Sequence, residues 1–346
     1  MKNISNFLFI AFVFISGCEN GSLDNRVITY NGRPLNHNGI ELYGHRGARG
    51  LYPEQTMPAY AAALSIGVDY VDMDLGITRD GVLVITHDLG LNPDITRDKD
   101  GNWIREATPI HSMTLQEVQS YNVGMIKPGT AYASYFPDQK PVDAYIPTLE
   151  EVVDYVISVA GDRVGFQFEI KNDPSKPQLT VSPYEFAAAV SKFIEEKGII
   201  DRTEVQAFDW QCLIELKKLN SNIKTAALSD HTTEVMDDTE TGLWIAGLKP
   251  ADFDYSLPKM VKHINADCWE PFQVDLTAKD LQTARDLGLK VVVWGWPEKE
   301  KTDYNTDMMQ KMIDWKVDGI ISDRPDRLRE ILALNGYEVP RSLQAQ

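Results

Sequence analysis

From residue 41 onward, short runs rich in β-branched and aromatic residues alternate with longer stretches whose apolar positions recur every three or four residues. The first kind predicts strands at Glu41–Gly44, Tyr70–Leu75, Val82–Thr86, Val164–Lys171, Glu204–Phe208, Lys224–Leu228, Lys290–Trp294 and Gly319–Ser322. Asp267–Trp269 is a ninth candidate, either a short extra strand or a displaced one. The second kind predicts helices over Thr56–Ile66, 183–197, Gln211–Leu219, 277–287, 306–315 and 326–334, the first, second and fourth stopped by Gly67, Gly198 and Gly288. Repeated strand-then-helix implies parallel strands with helices outside. Eight such units close into a (β/α)8 TIM-type barrel, whose chemistry sits at the carboxyl ends of the strands. An open doubly wound sheet would gather it at one switch point, whereas here chemically useful residues recur at almost every strand end. The barrel is the fold class expected.

Residues 89–147 break the alternation with prolines, glycines and aromatics such as Trp103, Tyr132, Tyr135 and Phe136. They form an inserted segment between strands 3 and 4. A helix at Thr114–Tyr121 within it and the aromatics predict an ordered lid or pocket wall rather than a slack loop. The next helix starts at Thr148, with Glu151 three residues on as the partner of a capping box. At the other end, Lys2 precedes an apolar core, Phe7–Ile15, too short to span a bilayer. Ile15-Ser16-Gly17-Cys18 resembles a bacterial lipoprotein processing box with Cys18 as the lipidated residue. The expected organisation is a signal peptide over 1–17, a tether over 18–38, the barrel over 39–335 and a tail over 336–346. Such a chain is exported and held at the periplasmic or cell surface through its lipid anchor only. Cys212 and Cys268 are expected free and buried. The net charge of −17 argues against nucleic acid and against adhesion to anionic lipid through basic residues. Nothing in the pattern specifies an oligomeric state.

The candidate chemistry is concentrated near the strand ends. Asp72 and Asp74 stand at i and i+2 of one strand and therefore share a face. Two carboxylates held that close repel unless a cation lies between them, and oxygen ligands suit a hard ion, Mg²⁺ or Ca²⁺. Glu169 and Lys171 repeat the spacing, offering a carboxylate to the metal and an ammonium to a phosphate oxygen. His45 and His87 each follow a strand, and Arg46 adds a second cation. Glu54, after Pro53, either joins the ion site or merely starts a helix. Each element has an ordinary reading: a hydrogen-bonded loop histidine, a solvated Asp-x-Asp face, a surface ion pair of under ~1 kcal/mol. Their joint recurrence at successive strand ends favours one site for metal-assisted attack on a phosphodiester.

The wording of these segments resembles the glycerophosphodiester phosphodiesterase family. His45-Arg46-Gly47, Pro53-Glu54-Gln55-Thr56, Asp72-Met73-Asp74, Asp80-Gly81, His87-Asp88, Ile146-Pro147-Thr148-Leu149-Glu150, Glu169-Ile170-Lys171 and Val317–Pro325 look like its motifs, in its order. The resemblance covers about residues 41–330 and implies a TIM-type barrel, one divalent cation, and hydrolysis of small glycerophosphodiesters to an alcohol and glycerol 3-phosphate. It implies the ion on Asp72, Asp74 and Glu169 with Glu54 close by, Arg46 and Lys171 on the phosphate, and His45 and His87 as acid and base. Two positions depart from the family pattern. Its usual first metal carboxylate is Glu, and Asp72 is one methylene shorter. A shorter ligand suits the looser shell of Ca²⁺ over the strict octahedron of Mg²⁺. Where the family reads Trp-Thr-Val-Asn, this chain has Trp294-Gly295-Trp296-Pro297, which puts two tryptophans on one face of the substrate pocket. Two alternatives stay open: a related sphingomyelinase-D-like phospholipase, and a catalytically silent binding lipoprotein that has kept the fold.

Overall fold

The computed structural model describes residues 29–30, 33–34, 39–230, 242–295 and 306–343. Eight parallel strands form the barrel: β1 (Glu41–Gly44), β2 (Tyr70–Ile77), β4 (Gly165–Ile170), β5 (Thr203–Ala207), β6 (Lys224–Ser229), β7 (Cys268–Pro271), β8 (Lys290–Val293) and β9 (Gly319–Ser322). Each pairs with its neighbour in that order, and β9 closes on β1 with Gly319 opposite Glu41. The remaining strand, β3 (Leu83–Ile85), pairs antiparallel with β2, Leu75 opposite Ile85. This corrects one expectation. Val82–Thr86 is apolar enough to pass for a barrel stave, but it folds back on β2 after the turn at Asp80-Gly81. The short Asp267–Trp269 candidate is the true stave, β7. The inserted segment still falls between the third and fourth strands of the chain.

Side-chain alternation divides the protein into two interiors. On β2, Val71, Met73 and Leu75 face the helices and join the main core, together with Phe166 and Phe168 of β4. The opposite face of the staves fills the barrel with Tyr43, Tyr70, Ala226, Cys268, Val292 and Ile321. At the amino-terminal end Lys290 plugs the barrel through Glu204 at 2.5 Å, Glu41 at 2.6 Å and the Tyr43 hydroxyl at 2.7 Å. Polar inward residues are thus left for the carboxyl end.

The insertion is ordered. Helix α2 (Leu115–Val118) is capped by a Thr114–Glu117 capping box, α3 (Ala131–Tyr135) by Thr130, and α4 (Leu149–Ala160) by the expected Thr148–Glu151 box. The segment 336–343 packs on α1 (Met57–Ile66): Leu343 N donates to Leu64 O at 2.9 Å and its side chain is buried. Within the proposed tether, Thr29–Tyr30 pairs antiparallel with Arg33–Pro34. Cys18 and the leader lie outside the described residues. Cys212 and Cys268 are free and buried, as expected. Among the described residues no helix is long and apolar enough to cross a membrane.

Candidate active site

After β1 the chain turns sharply, with Arg46 at φ 50° and Gly47 at φ 86°. A Cβ on Gly47 would lie 2.7 Å from the carbonyl carbon of Ala59 in α1, so only glycine fits this turn. The turn drives Arg46 inward. Its guanidinium meets Glu54 at 2.7 Å and Asp74 at 3.1 Å, and its backbone N–H donates to Asp72 at 3.0 Å. Gln55, also left-handed at φ 60°, donates its amide to Asp74 at 2.6 Å. Two non-glycine residues in this region at one loop mark backbone held in place by its surroundings. Glu54 is therefore not a helix-start residue. The helix begins later, at Met57, and its first turn carries no acid.

Both predicted histidines reach this end of the barrel, each with Nδ1 on a carboxylate. His45 Nδ1 lies 2.7 Å from Asp323, and His87 Nδ1 lies 2.8 Å from Asp88. An Nδ1–H donated in each case makes Nε2 the nitrogen through which each ring can exchange a proton. Asp323 is held in turn by Arg49, whose Nε and Nη2 reach its two oxygens at 2.7 and 2.8 Å. Burial and the Arg49 charge push His45 down to about 4 despite Asp323, so the ring is neutral near pH 7. Burial lowers His87 as well, helped by Arg46 and Lys171. Asp74 stands between these groups. Burial would raise its pKa, but Arg46, then Lys171, His87 and His45 pull it well below the ordinary carboxylate range.

Asp72, Asp74 and Glu169 interact with one another at this end of the barrel. Asp72 and Asp74 are each 1 % exposed. Asp72 accepts from Arg46 N and from the Gln206 amide at 2.7 Å. Glu169 pairs with Lys171 at 2.5 Å, and its carboxyl is in hydrogen-bonding contact with Asp74. Burial first and Asp74 next push Glu169 up to about 7. Burial and Asp74 likewise raise Asp72. Among the described residues no three His, Cys, Asp or Glu side chains already form a ligand shell. The donor set fits a hard cation nonetheless. Asp74 Oδ1 is buried without a hydrogen-bond donor, beside a second carboxyl, Glu169, that burial first and Asp74 next raise to about 7. That is what oxygen ligands look like when a cation is not counted among their neighbours.

The insertion forms a wall of the site. The Tyr132 hydroxyl of α3 donates to Glu54, the Phe136 ring lies 4.7 Å under the Arg49 guanidinium, and Gln139 donates to Arg49 O at 2.8 Å. Trp294 packs at 5.5 Å against Phe208 and 5.0 Å against Phe272, and its indole N–H donates to Glu270 O. Trp296 lies outside the described residues. Sequence reasoning assigned no role to Arg49, Asp323 or Gln206, and placed Tyr132 only among the aromatics of a lid or pocket wall. Asp323 stands inside a segment it singled out, Val317–Pro325, and Arg49 two residues past His45-Arg46-Gly47. The usable signal was that a catalytic imidazole needs an orienting carboxylate. Gln206 carried no such signal.

The comparisons with known proteins agree with this geometry. A model of the glycerophosphoryl diester phosphodiesterase family matches residues 45–327. The chain is 25% identical over 295 residues to a glycerophosphodiester phosphodiesterase of Caldanaerobacter subterraneus, covering 85% of this chain and 98% of that protein. It is 23% identical over 312 residues to one of Bacillus subtilis, covering 87% and 89%. A solved Silicibacter pomeroyi structure assigned to the same family superimposes with a TM-score of 0.75 at 30% identity, over 87% of this chain and 95% of that one. The fold is shared too with an Oleispira antarctica phosphodiesterase in complex with the product sn-glycerol-3-phosphate, at TM-score 0.61 and 18% identity, over 85% and 96%. Matched along most of its length and closed into the same barrel, the chain belongs to the glycerophosphoryl diester phosphodiesterase family and is a phosphoric diester hydrolase.

Proposed function

We propose that the protein hydrolyses small glycerophosphodiesters, such as glycerophosphocholine and glycerophosphoethanolamine, to an alcohol and sn-glycerol 3-phosphate by acid–base catalysis between His45 and His87. The observation that carries this is the pair of imidazoles, each with Nδ1 on a carboxylate, around acids interleaved with Arg46 and Lys171. His45, kept neutral, takes the proton of the attacking hydroxyl, from water or from the glycerol's adjacent 2-hydroxyl. As the phosphorus–oxygen bond to the alcohol breaks, the leaving oxygen takes the Nε2 proton of His87, which enters the step as imidazolium and leaves it neutral while His45 leaves as imidazolium. The bound dianionic phosphorane oxygens face Arg46 and Lys171, which offset charge that grows in the transition state. Asp72, Asp74 and Glu169 would hold one divalent cation, with Glu54 tied to Arg46 alongside. When bound, that ion polarises a phosphoryl oxygen. The shorter Asp72 supports Ca²⁺ over Mg²⁺. Retention of both imidazoles and all the acids speaks against a silent binding lipoprotein.

The test is glycerol 3-phosphate release from glycerophosphocholine and glycerophosphoethanolamine. Chelator should abolish it, Ca²⁺ should restore it better than Mg²⁺, and Asp72→Glu should move the preference toward Mg²⁺. Release that is indifferent to chelator, or that survives His45→Ala and His87→Ala, would refute the reading.

A further inference from the structure

A cleft of about 910 Å³ runs outward from the reacting groups, with His87, Glu169 and Lys171 at its inner end. That is the upper part of the range that encloses a drug-sized ligand, whereas a choline or ethanolamine arm is a handful of atoms. Beyond the chemistry, apolar side chains line much of the cleft: Leu89 and Pro93 from the start of the insertion, Leu179 from the loop after β4, and Phe208 and Trp244, with polar groups such as Asn92, Asp173 and Lys176 among them. All five apolar side chains are only partly buried, so their surfaces face the cleft. Phe208 lies 5.8 Å from the Lys171 ammonium, which makes the apolar wall continuous with the phosphate position. The cleft's three lining carboxylates each already have partners. Asp88 is engaged by His87 and Asn92, Asp173 by Ser175 and Lys176, and Glu169 by Lys171.

From these walls we propose that the cleft binds an apolar arm of the diester, so that the enzyme takes phosphodiesters carrying an alkyl or acyl chain in preference to wholly polar ones. This rests on the catalytic reading above and adds the substrate class. An apolar arm can belong to the leaving alcohol or to the glycerol, and two substrate series separate the cases. One is sn-glycero-3-phospho-n-alkanols from ethanol to octanol. The other is short-chain 1-acyl-sn-glycero-3-phosphocholines kept below micelle formation, with glycerophosphocholine as reference.

With the full chain and saturating Ca²⁺, kcat/KM should rise about threefold to fourfold per methylene in one series, as expected for burial of CH₂ groups. The rise should come through KM and level off once the cleft is filled. Leu179→Asn should flatten the slope. A flat response in both series, with glycerophosphocholine still hydrolysed, overturns the proposal while leaving the catalytic reading intact. No hydrolysis of any diester overturns both.

Discussion

His45 differs from an ordinary loop histidine in having Nδ1 committed to Asp323, a carboxylate itself clamped by two nitrogens of Arg49. Asp323 is fully buried, and burial alone would raise its pKa, but Arg49 and His45 hold it well below the usual range. It is therefore charged whenever the enzyme works. It fixes the tautomer and the ring orientation together. In the role proposed for it His45 acts in its neutral form, and with its pKa pushed down to about 4 it would lose that form only as pH falls through about 4. With saturating cation, the acid limb of kcat/KM should lie well below the ordinary histidine range. An acid limb near 6.5 attributable to His45 would contradict the assignment. Asp323→Asn should lower kcat by at least ~10²-fold, the lower end of what a positioned proton transfer contributes. It should also cost about 3 kcal/mol of stability, measured by urea unfolding, since Arg49 loses its charged partner in a buried place.

At the level of elements, the insertion clasps the loop that follows β1. Tyr132 grips Glu54, Phe136 and Gln139 hold Arg49, and Asp138 pairs with Arg324 at 2.6 Å. The segment 132–139 thereby sets both arginines of the site, Arg46 through Glu54 and Arg49 directly. Tyr132→Phe should leave folding nearly intact, since one hydrogen bond to a charged group contributes about 1.5–3 kcal/mol. It should cut kcat several-fold by loosening Glu54 and with it Arg46, and steady-state kinetics beside a melting curve would separate the two effects. That the insertion is ordered was legible from its aromatics and from Thr148 and Glu151. Its grip on Arg49 was not, because such contacts join residues about ninety apart. Elsewhere the acids and histidines were legible because period-two spacing places i and i+2 together whatever the surrounding fold. Strand identity was less so. Val82–Thr86 and Asp267–Trp269 exchanged roles, since a strand buried on both faces lacks the alternation that tells a barrel stave from a hairpin arm.

For the molecule as a whole, the net charge of −17 means that an anionic diester is drawn in by local cations against the general field. We propose that attachment is equally local, on the ground of the leader sequence and Cys18: an exported lipoprotein held only by its acyl chains. Cys18→Ser should release the protein from membranes, as followed by fractionation, and leave turnover unchanged. A membrane-bound variant would end that proposal. The pairing of β9 with β1 has a further consequence, in the order of folding. His45 and Asp323 are 278 residues apart and meet only when the last stave docks against the first. Contacts that distant form late, because loop closure must precede them. On the proposed mechanism, a growing or partly folded chain thus lacks the carboxylate that orients His45 and should stay inert. Onset of turnover during refolding would then time the sealing of the ring, as a clock that spectroscopic helix content, complete earlier, cannot provide.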